Sequence, residues 1–418
     1  MPQIISTIII GAGAAGMMAA AVAGQRGASV LLIDHANKIG EKIRISGGGR
    51  CNFTNVALDG GDASRFFVSS NPRFVRPALA HYTAKDFVQL LKNHRVKFHE
   101  KHKGQLFCDD SANDVIEVLR AECAAGKVEW RTNCAVVNIR VLDDSSGARF
   151  EVDTSTAGVW RCQNLIIATG GLSIPAIGAT GFGYEVARQF GHTVTELSAG
   201  LVPLTFGNWT ADGWNALAGV ALPVRVSAGE GKKVMMFDED LLISHKGLTG
   251  PAILQISNYW QQGESIRVNL CPDVDLDAAL RAGKSGSKVQ LDTALAQLAP
   301  HLPKRLQNHA FEQAAFAPFA KHKWADVPDK VLRDLANSLN AWTLKPSGTE
   351  GYKKAEVTRG GVAVKEVNNQ TMESRLQKGL YFVGEVMDVT GWLGGYNFQW
   401  AWASGVAAGR AVSEGLKS

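Results

Sequence analysis

Hydrophobic and polar positions fall into blocks along this chain, and each block has its own period. STIII at 6–10 is short, β-branched and uncharged, the pattern of a strand buried on both faces. AAGMMAAAVAGQR at 14–26 predicts a small-residue helix that Gly27 stops, and SVLLI at 29–33 predicts a second buried strand. Between 72 and 125 helical spacing encloses a short strand pair around RVKFHEKHKGQLFC. Ser111 and Asp114 there have the spacing of a capping-box variant at a helix start. Four strand-like runs follow: VEWRT, AVVNIRVL, ARFEVDT and NLIIAT. The last of them enters a glycine turn, Ala168-Thr169-Gly170-Gly171.

Beyond His192 the period changes. Alternating runs such as LVPLTF, LPVRVSA and KKVMMF predict a β-barrel or sandwich over 193–274, and helical spacing returns over 275–346. From 347 the strand–turn–helix logic resumes. GLYFVGEVMD opens into Gly384-Glu385, and a glycine turn feeds the small-residue helix after Gly395. The expected organisation is therefore a discontinuous α/β domain built from 1–192 and 347–418, interrupted by a β part and a helical part.

Composition narrows this picture only a little. The 418 residues carry 44 Lys and Arg against 39 Asp and Glu, a net charge of +5, spread without an evident basic arm. That balance predicts no nucleic-acid partner. Cys51, Cys108, Cys123, Cys134, Cys162 and Cys271 are dispersed with no C-x-x-C, as in a reduced cytoplasmic protein. The apolar stretch at 7–24 has no preceding cation and is broken by glycines, so neither a signal peptide nor a membrane span is expected.

The chemistry begins at Gly11-Ala12-Gly13-Ala14-Ala15-Gly16, which lies between a strand and a helix with Asp34 closing the next strand. This is a dinucleotide fingerprint in its full context. Gly11 makes the turn, Gly13 lets a pyrophosphate reach the backbone, and Gly16 lets helix and strand pack closely. The helix N-terminus offers unpaired N–H groups to phosphate, and Asp34 suits ribose hydroxyls. Glycine-bearing strand ends recur near Thr169 and Glu385, which suits an extended cofactor such as FAD. No second G-x-G-x-x-G follows a strand, so a built-in NAD(P) domain is not expected.

The motifs GAGAAG, SGGGRCNFTN, ATGGLSIP, HKGLTGPAILQIS, EVTRGGV, TMESR and GLYFVGEVMDVTGWLGGYNFQWAWASG resemble, in order and over the whole chain, the YhiN/BaiN-like FAD-dependent oxidoreductases, nearest the YhiN branch. The resemblance implies a two-dinucleotide-type FAD-binding Rossmann domain with an inserted β-barrel and helical bundle. It places FAD contacts at Gly11, Gly13, Ala14, Ala15, Gly16, Asp34 and Lys42, then at Ser46, Gly47, Gly48, Gly49, Arg50, Cys51 and Asn52. Further contacts fall at Ala135, Thr169, Gly170, Glu385, Asp388, Gly395, Tyr396 and Asn397.

Several residues invite sharper readings. Cys51 has no second cysteine nearby in sequence, so a backbone contact is favoured over a redox thiol. Arg50, after three glycines, is a candidate to neutralise pyrophosphate or reduced flavin, and Tyr396 to position flavin or substrate. His245 is the histidine candidate for acid–base work. His99 and His102 lack a third partner, so no metal is expected. The expected reaction is NAD(P)H-driven reduction of a small organic acceptor through flavin. The alternatives are an aminoacetone-type amine oxidase using oxygen, a tRNA-modifying flavoprotein, or a non-catalytic FAD-binding module. The oligomeric state is left open.

Overall fold

The computed structural model describes residues 4–143, 147–231 and 234–414. The chain divides into two units: Met1–Ala199 with Glu356–Ser418, and Gly200–Ala355.

In the first unit, the isoleucine-rich strand Ile4–Ile10 lies at the centre of a seven-stranded sheet. It pairs in parallel with Val30–Ile33 on one side and Gly158–Ile167 on the other, and Glu129–Arg131 extends the first side. Ile8 and Ile9 are fully buried, as a strand covered on both faces requires. Gly158–Ile167 has two partners along its far edge. Its first half pairs antiparallel with Phe150–Thr154, and its second half pairs in parallel with Leu380–Phe382. The strand Val136–Val141 completes the antiparallel side.

Two helices of small residues, Ala14–Gln25 and Tyr396–Glu414, pack on each other. The glycines of the second permit this. A Cβ on Gly405 would stand 2.6 Å from the carbonyl oxygen of Ala15, and one on Gly409 would stand 2.7 Å from that of Ala19. A separate three-stranded sheet runs Asn52–Asn55, Gln105–Cys108, Phe98–Glu100, and hydrogen bonds join it to the second helix. Trp402 Nε1 donates to Phe53 O at 2.9 Å, and Thr54 Oγ1 donates to Gln399 Oε1 at 2.7 Å.

In the second unit, seven strands pair antiparallel in one sheet, whose two terminal strands are Trp342–Leu344 and Gly348–Thr349. Only residues 345–347 separate those two edges, so the sheet curls toward a barrel. The helices Leu276–Ala282, Leu291–Leu298, Lys304–Glu312 and Asp329–Asn340 form its helical part. An α/β Rossmann domain with an added antiparallel sheet and helical bundle is the architecture found.

Candidate functional site

The fingerprint turn is held by Asp34. Its carboxylate accepts the N–H of Ala12 at 2.7 Å and the N–H of Ala36 at 2.8 Å, so the acid at the second strand shapes the turn after the first. Ala135 lies beside it, because Asn133 and Cys134 donate to the carbonyls of Ala36 and Asp34. Gly11 has φ +108 and a carbonyl of the 168 turn against its missing side chain, so it is a packing glycine. Gly13 differs: a Cβ there would meet no atom within 4 Å. It caps the helix Ala14–Gln25 without a side-chain cap or a first-turn acid. As first-turn groups, the N–H of Ala14, Ala15 and Gly16 have no acceptor within the helix.

SGGGRCN forms a second, tighter cradle. Gly47, Gly48 and Gly49 take φ of 56°, 66° and 83°, and Cys51 follows at 49°. Gly47 is pressed by Asn52 N at 2.8 Å and by the Phe107 ring at 2.9 Å, whereas Gly48 and Gly49 face open space. Ser46 Oγ donates to Ile43 O, and Ala112 N donates to Gly49 O at 2.7 Å, pinning the loop at both ends. Arg50 is exposed and makes no ion pair among the described residues. Cys51 is fully buried, and that burial pushes its thiol far above the ordinary range against a smaller opposing effect of Ser46. It is a neutral thiol, not a nucleophile. Asn52 Nδ2 donates to Gln105 Oε1 at 3.2 Å, while its buried Oδ1 has no partner.

Lys42, Ser173, Thr358 and Glu385 join in one polar network. Glu385 pairs with Lys42 Nζ and accepts from Thr358 N at 2.8 Å and Ser173 Oγ at 3.1 Å. Lys42 also donates to Ser173 Oγ at 2.6 Å, and Thr358 Oγ1 accepts from Leu172 N at 2.7 Å. Ser173 and Thr358 lie within the glycine-turn motifs, but no spacing rule marks an isolated hydroxyl, so sequence reasoning passed over them. Gly170 (φ +70) is open on its Cβ side, and the neighbouring Thr169 Oγ1 is buried without a partner.

The start of the last helix closes the same region. Gly394 and Gly395 take φ of 114° and 94°, and Gly395 is held against the backbone of Thr54, two residues past Asn52. The Asn397 side chain clamps the preceding turn, accepting from Gly391 N at 2.7 Å and donating to Gly391 O at 3.0 Å. Tyr396 is buried with its ring 4.7 Å from that of Phe66, beside Trp392. Asp388 is also buried; burial raises its carboxyl, and it accepts the N–H of Ser70 at 2.9 Å. Glu356 reaches solvent yet is crowded, so desolvation raises its carboxyl while the charge of Lys42 opposes the rise. His245 is exposed and lies in the second unit, in the turn between Met235–Ile243 and Gly247–Thr249.

The first unit thus brings together the fingerprint turn, the SGGGRCN cradle, the 168–173 turn and the Gly394–Asn397 helix start. The unpartnered buried acceptor at Asn52 and the uncovered glycines at 13, 48, 49 and 170 fit an extended dinucleotide, whereas Thr169 Oγ1 packs against Gly183. Among the described residues no group of three or more His, Cys, Asp or Glu is arranged to hold a metal ion, and no helix is long and apolar enough to cross a membrane.

Residues 5–411 match the family described as HI0933-like protein Rossmann domain. The chain is 48% identical over 397 residues to the ribosomal RNA dihydrouridine synthase of Escherichia coli, covering 95% of each. It is 43% identical over 414 residues to the protein of the same name from Haemophilus influenzae, covering 99% of this chain and all of that one. It is 30% identical to the 3-dehydro-bile acid delta(4,6)-reductase of Clostridium scindens, covering 97% and 98%.

Two expectations are corrected by these matches. The family is HI0933-like, and the relatives at 48% and 43% carry the dihydrouridine synthase name, not that of the YhiN/BaiN-like group. The motifs behind that resemblance build the cofactor fold and do not report the acceptor. The expectation of no nucleic-acid partner is overturned as well, since both relatives are named for ribosomal RNA. It rested on charge averaged over the whole chain, which hides a local concentration. The chain belongs to the HI0933-like family and is an FAD-dependent oxidoreductase.

Proposed function

We propose that this enzyme reduces uridine in ribosomal RNA to dihydrouridine, with NAD(P)H as the electron donor. The observation that carries the reading is the 48% identity to a ribosomal RNA dihydrouridine synthase across 95% of both chains. The bile-acid relative favours the same bond chemistry, because both names describe reduction of a carbon–carbon double bond conjugated with a carbonyl. In uracil the C5=C6 bond is lost, hydride adds at C6 and a proton at C5, and NAD(P)H leaves as NAD(P)⁺.

A bound FAD, once reduced by NAD(P)H, would supply the hydride. The N–H groups of Ala14, Ala15 and Gly16 would take its pyrophosphate at the helix N-terminus, with Gly13 leaving the approach open. Asp34 would accept from ribose hydroxyls, and Ala135 would border the adenine. Gly48, Gly49, Asn52 Oδ1, the backbone of Thr169–Gly170 and the helix start at Gly395–Asn397 would line the remainder. Lys42 and Glu385 hold the turns around it through their mutual pair.

The test is incubation of the purified holoenzyme with NADPH and ribosomal RNA from cells lacking the gene, followed by nucleoside mass spectrometry. Dihydrouridine should accumulate with wild type and NADPH and should not form when NADPH is left out. RNA unaltered by wild type would reject the reading.

A further inference from the structure

The charge is less even than the totals suggest, because one short segment running from a helix end through an edge strand is rich in cations. Residues 92–103 hold Lys92, Arg95, Lys97, Lys101 and Lys103 against a single acid, Glu100, in a chain that totals 44 cations and 39 anions. All five cations are exposed. Lys92, Arg95, Lys97 and Lys101 make no ion pair among the described residues. His94 and His99 do have acidic partners, Glu122 at 2.6 Å and Asp109 at 2.7 Å.

The segment is joined to the glycine cradle through its strand. Its strand Phe98–Glu100 is an edge strand of the sheet whose opposite edge begins at Asn52. Two strand spacings separate those edges, about 10 Å. One aromatic ring bridges them. Phe107 presses on Gly47 from one side, while His99 stacks on it at 6.2 Å and Lys101 Nζ lies 5.3 Å from its centroid. Gln105 ties the same strand to Asn52 and lies against Gly394. On the opposite face of that sheet an open groove of about 690 Å³ has Val88, Phe98 and Leu106 in its lining, where Lys85 and Lys92 are balanced by Asp59 and Glu100. Edge strands carry lysine simply to resist pairing with other chains. That role does not account for cations outside the strand, on the helix end at Lys92 and in the loop at Arg95 and Lys97.

We infer that the cationic 92–103 segment is the RNA-docking surface of this enzyme. Lys92, Arg95, Lys97 and Lys101 contact phosphates flanking the nucleotide that enters the site. Phosphate contacts fix register without reading sequence, and a run of cations that tracks the backbone is what single-stranded RNA requires. This inference rests on the reading that RNA is the substrate.

The test is fluorescence anisotropy of a labelled RNA stem-loop with unpaired loop uridines, titrated with holoenzyme over a range of KCl concentrations. The variant Lys92→Gln, Arg95→Gln, Lys97→Gln, Lys101→Gln changes only exposed side chains, so its flavin content should match wild type. Each lost phosphate contact lowers the salt slope by about 0.7–0.9, so four should lower it by about 3 and weaken binding roughly a hundredfold at moderate salt. A variant with the wild-type slope and affinity overturns the surface while leaving the proposed reaction standing. Wild type that binds anionic phospholipid vesicles but not the stem-loop also overturns it. RNA binding that the variant loses, in an enzyme that forms no dihydrouridine, supports the surface and rejects only the reaction.

Discussion

Gly405→Ala tests whether the two small-residue helices set the geometry of the cofactor end. In a helix interior this change gains about 1 kcal/mol of intrinsic propensity. The new Cβ, however, would stand 2.6 Å from the carbonyl oxygen of Ala15, a backbone atom that cannot rotate away. Restoring an ordinary contact near 3.2–3.4 Å requires the helices to part by about 0.6–0.8 Å, and a gap of that size forfeits a quarter to a half of each dispersion contact along the seam. Overpacking of this kind costs about 1–3 kcal/mol, so the net is a loss of up to about 2 kcal/mol, or a few degrees of melting temperature. The measurement is thermal unfolding of flavin-stripped protein, so that ligand binding does not mask the packing term, followed by FAD titration. Gly13→Ala is the matched control: nothing lies within 4 Å of its Cβ and its φ is −87°. It should leave the apoprotein within about 1 kcal/mol of wild type while weakening FAD binding. Gly405→Ala that gains the full propensity term of about 1 kcal/mol over wild type would refute the packing argument, and Gly13→Ala with undiminished FAD affinity would refute the open approach at the fingerprint.

Asp34→Ala should purify with markedly less FAD, and full yellow occupancy would remove Asp34 from the cofactor site. Cys51 should resist iodoacetamide in native protein at neutral pH and react only after unfolding; modification by native-state mass spectrometry would contradict its burial. Glu385→Gln leaves Lys42 short of a charged partner in a half-buried network, and should lower stability by about 1–3 kcal/mol as read by thermal melting. Under anaerobic conditions NADPH should bleach the flavin and amines should not; bleaching by an amine alone would favour the oxidase alternative.

The fingerprint was readable because each of its residues answers a separate requirement of backbone and phosphate. Gly11, Gly13, Gly16 and Asp34 carry meaning by position, and the flanking strand and helix form as their periods predict. Gly47 to Gly49 were legible as a close approach but not as to what approaches. Gly47 is filled by Phe107, sixty residues on, and only Gly48 and Gly49 are open. Asn397 could be named but not understood, since its amide grips Gly391 of its own turn. Ser173 and Thr358 carried no signal, because a hydroxyl becomes part of a network only when folding delivers its partners. The run of cations at 92–103 was hidden by averaging: a net charge is a sum, and a sum has no location.

The strand Gly158–Ile167 borrows its last parallel neighbour, Leu380–Phe382, from more than two hundred residues downstream. During synthesis at roughly 5–20 residues per second, the sheet then waits at least ten seconds with that edge bare. The helix that packs on Ala14–Gln25 emerges later still. FAD loading is therefore a late event in the life of the nascent chain. A ribosome stalled before residue 380 would carry a chain with an intact fingerprint and no stable hold on its cofactor.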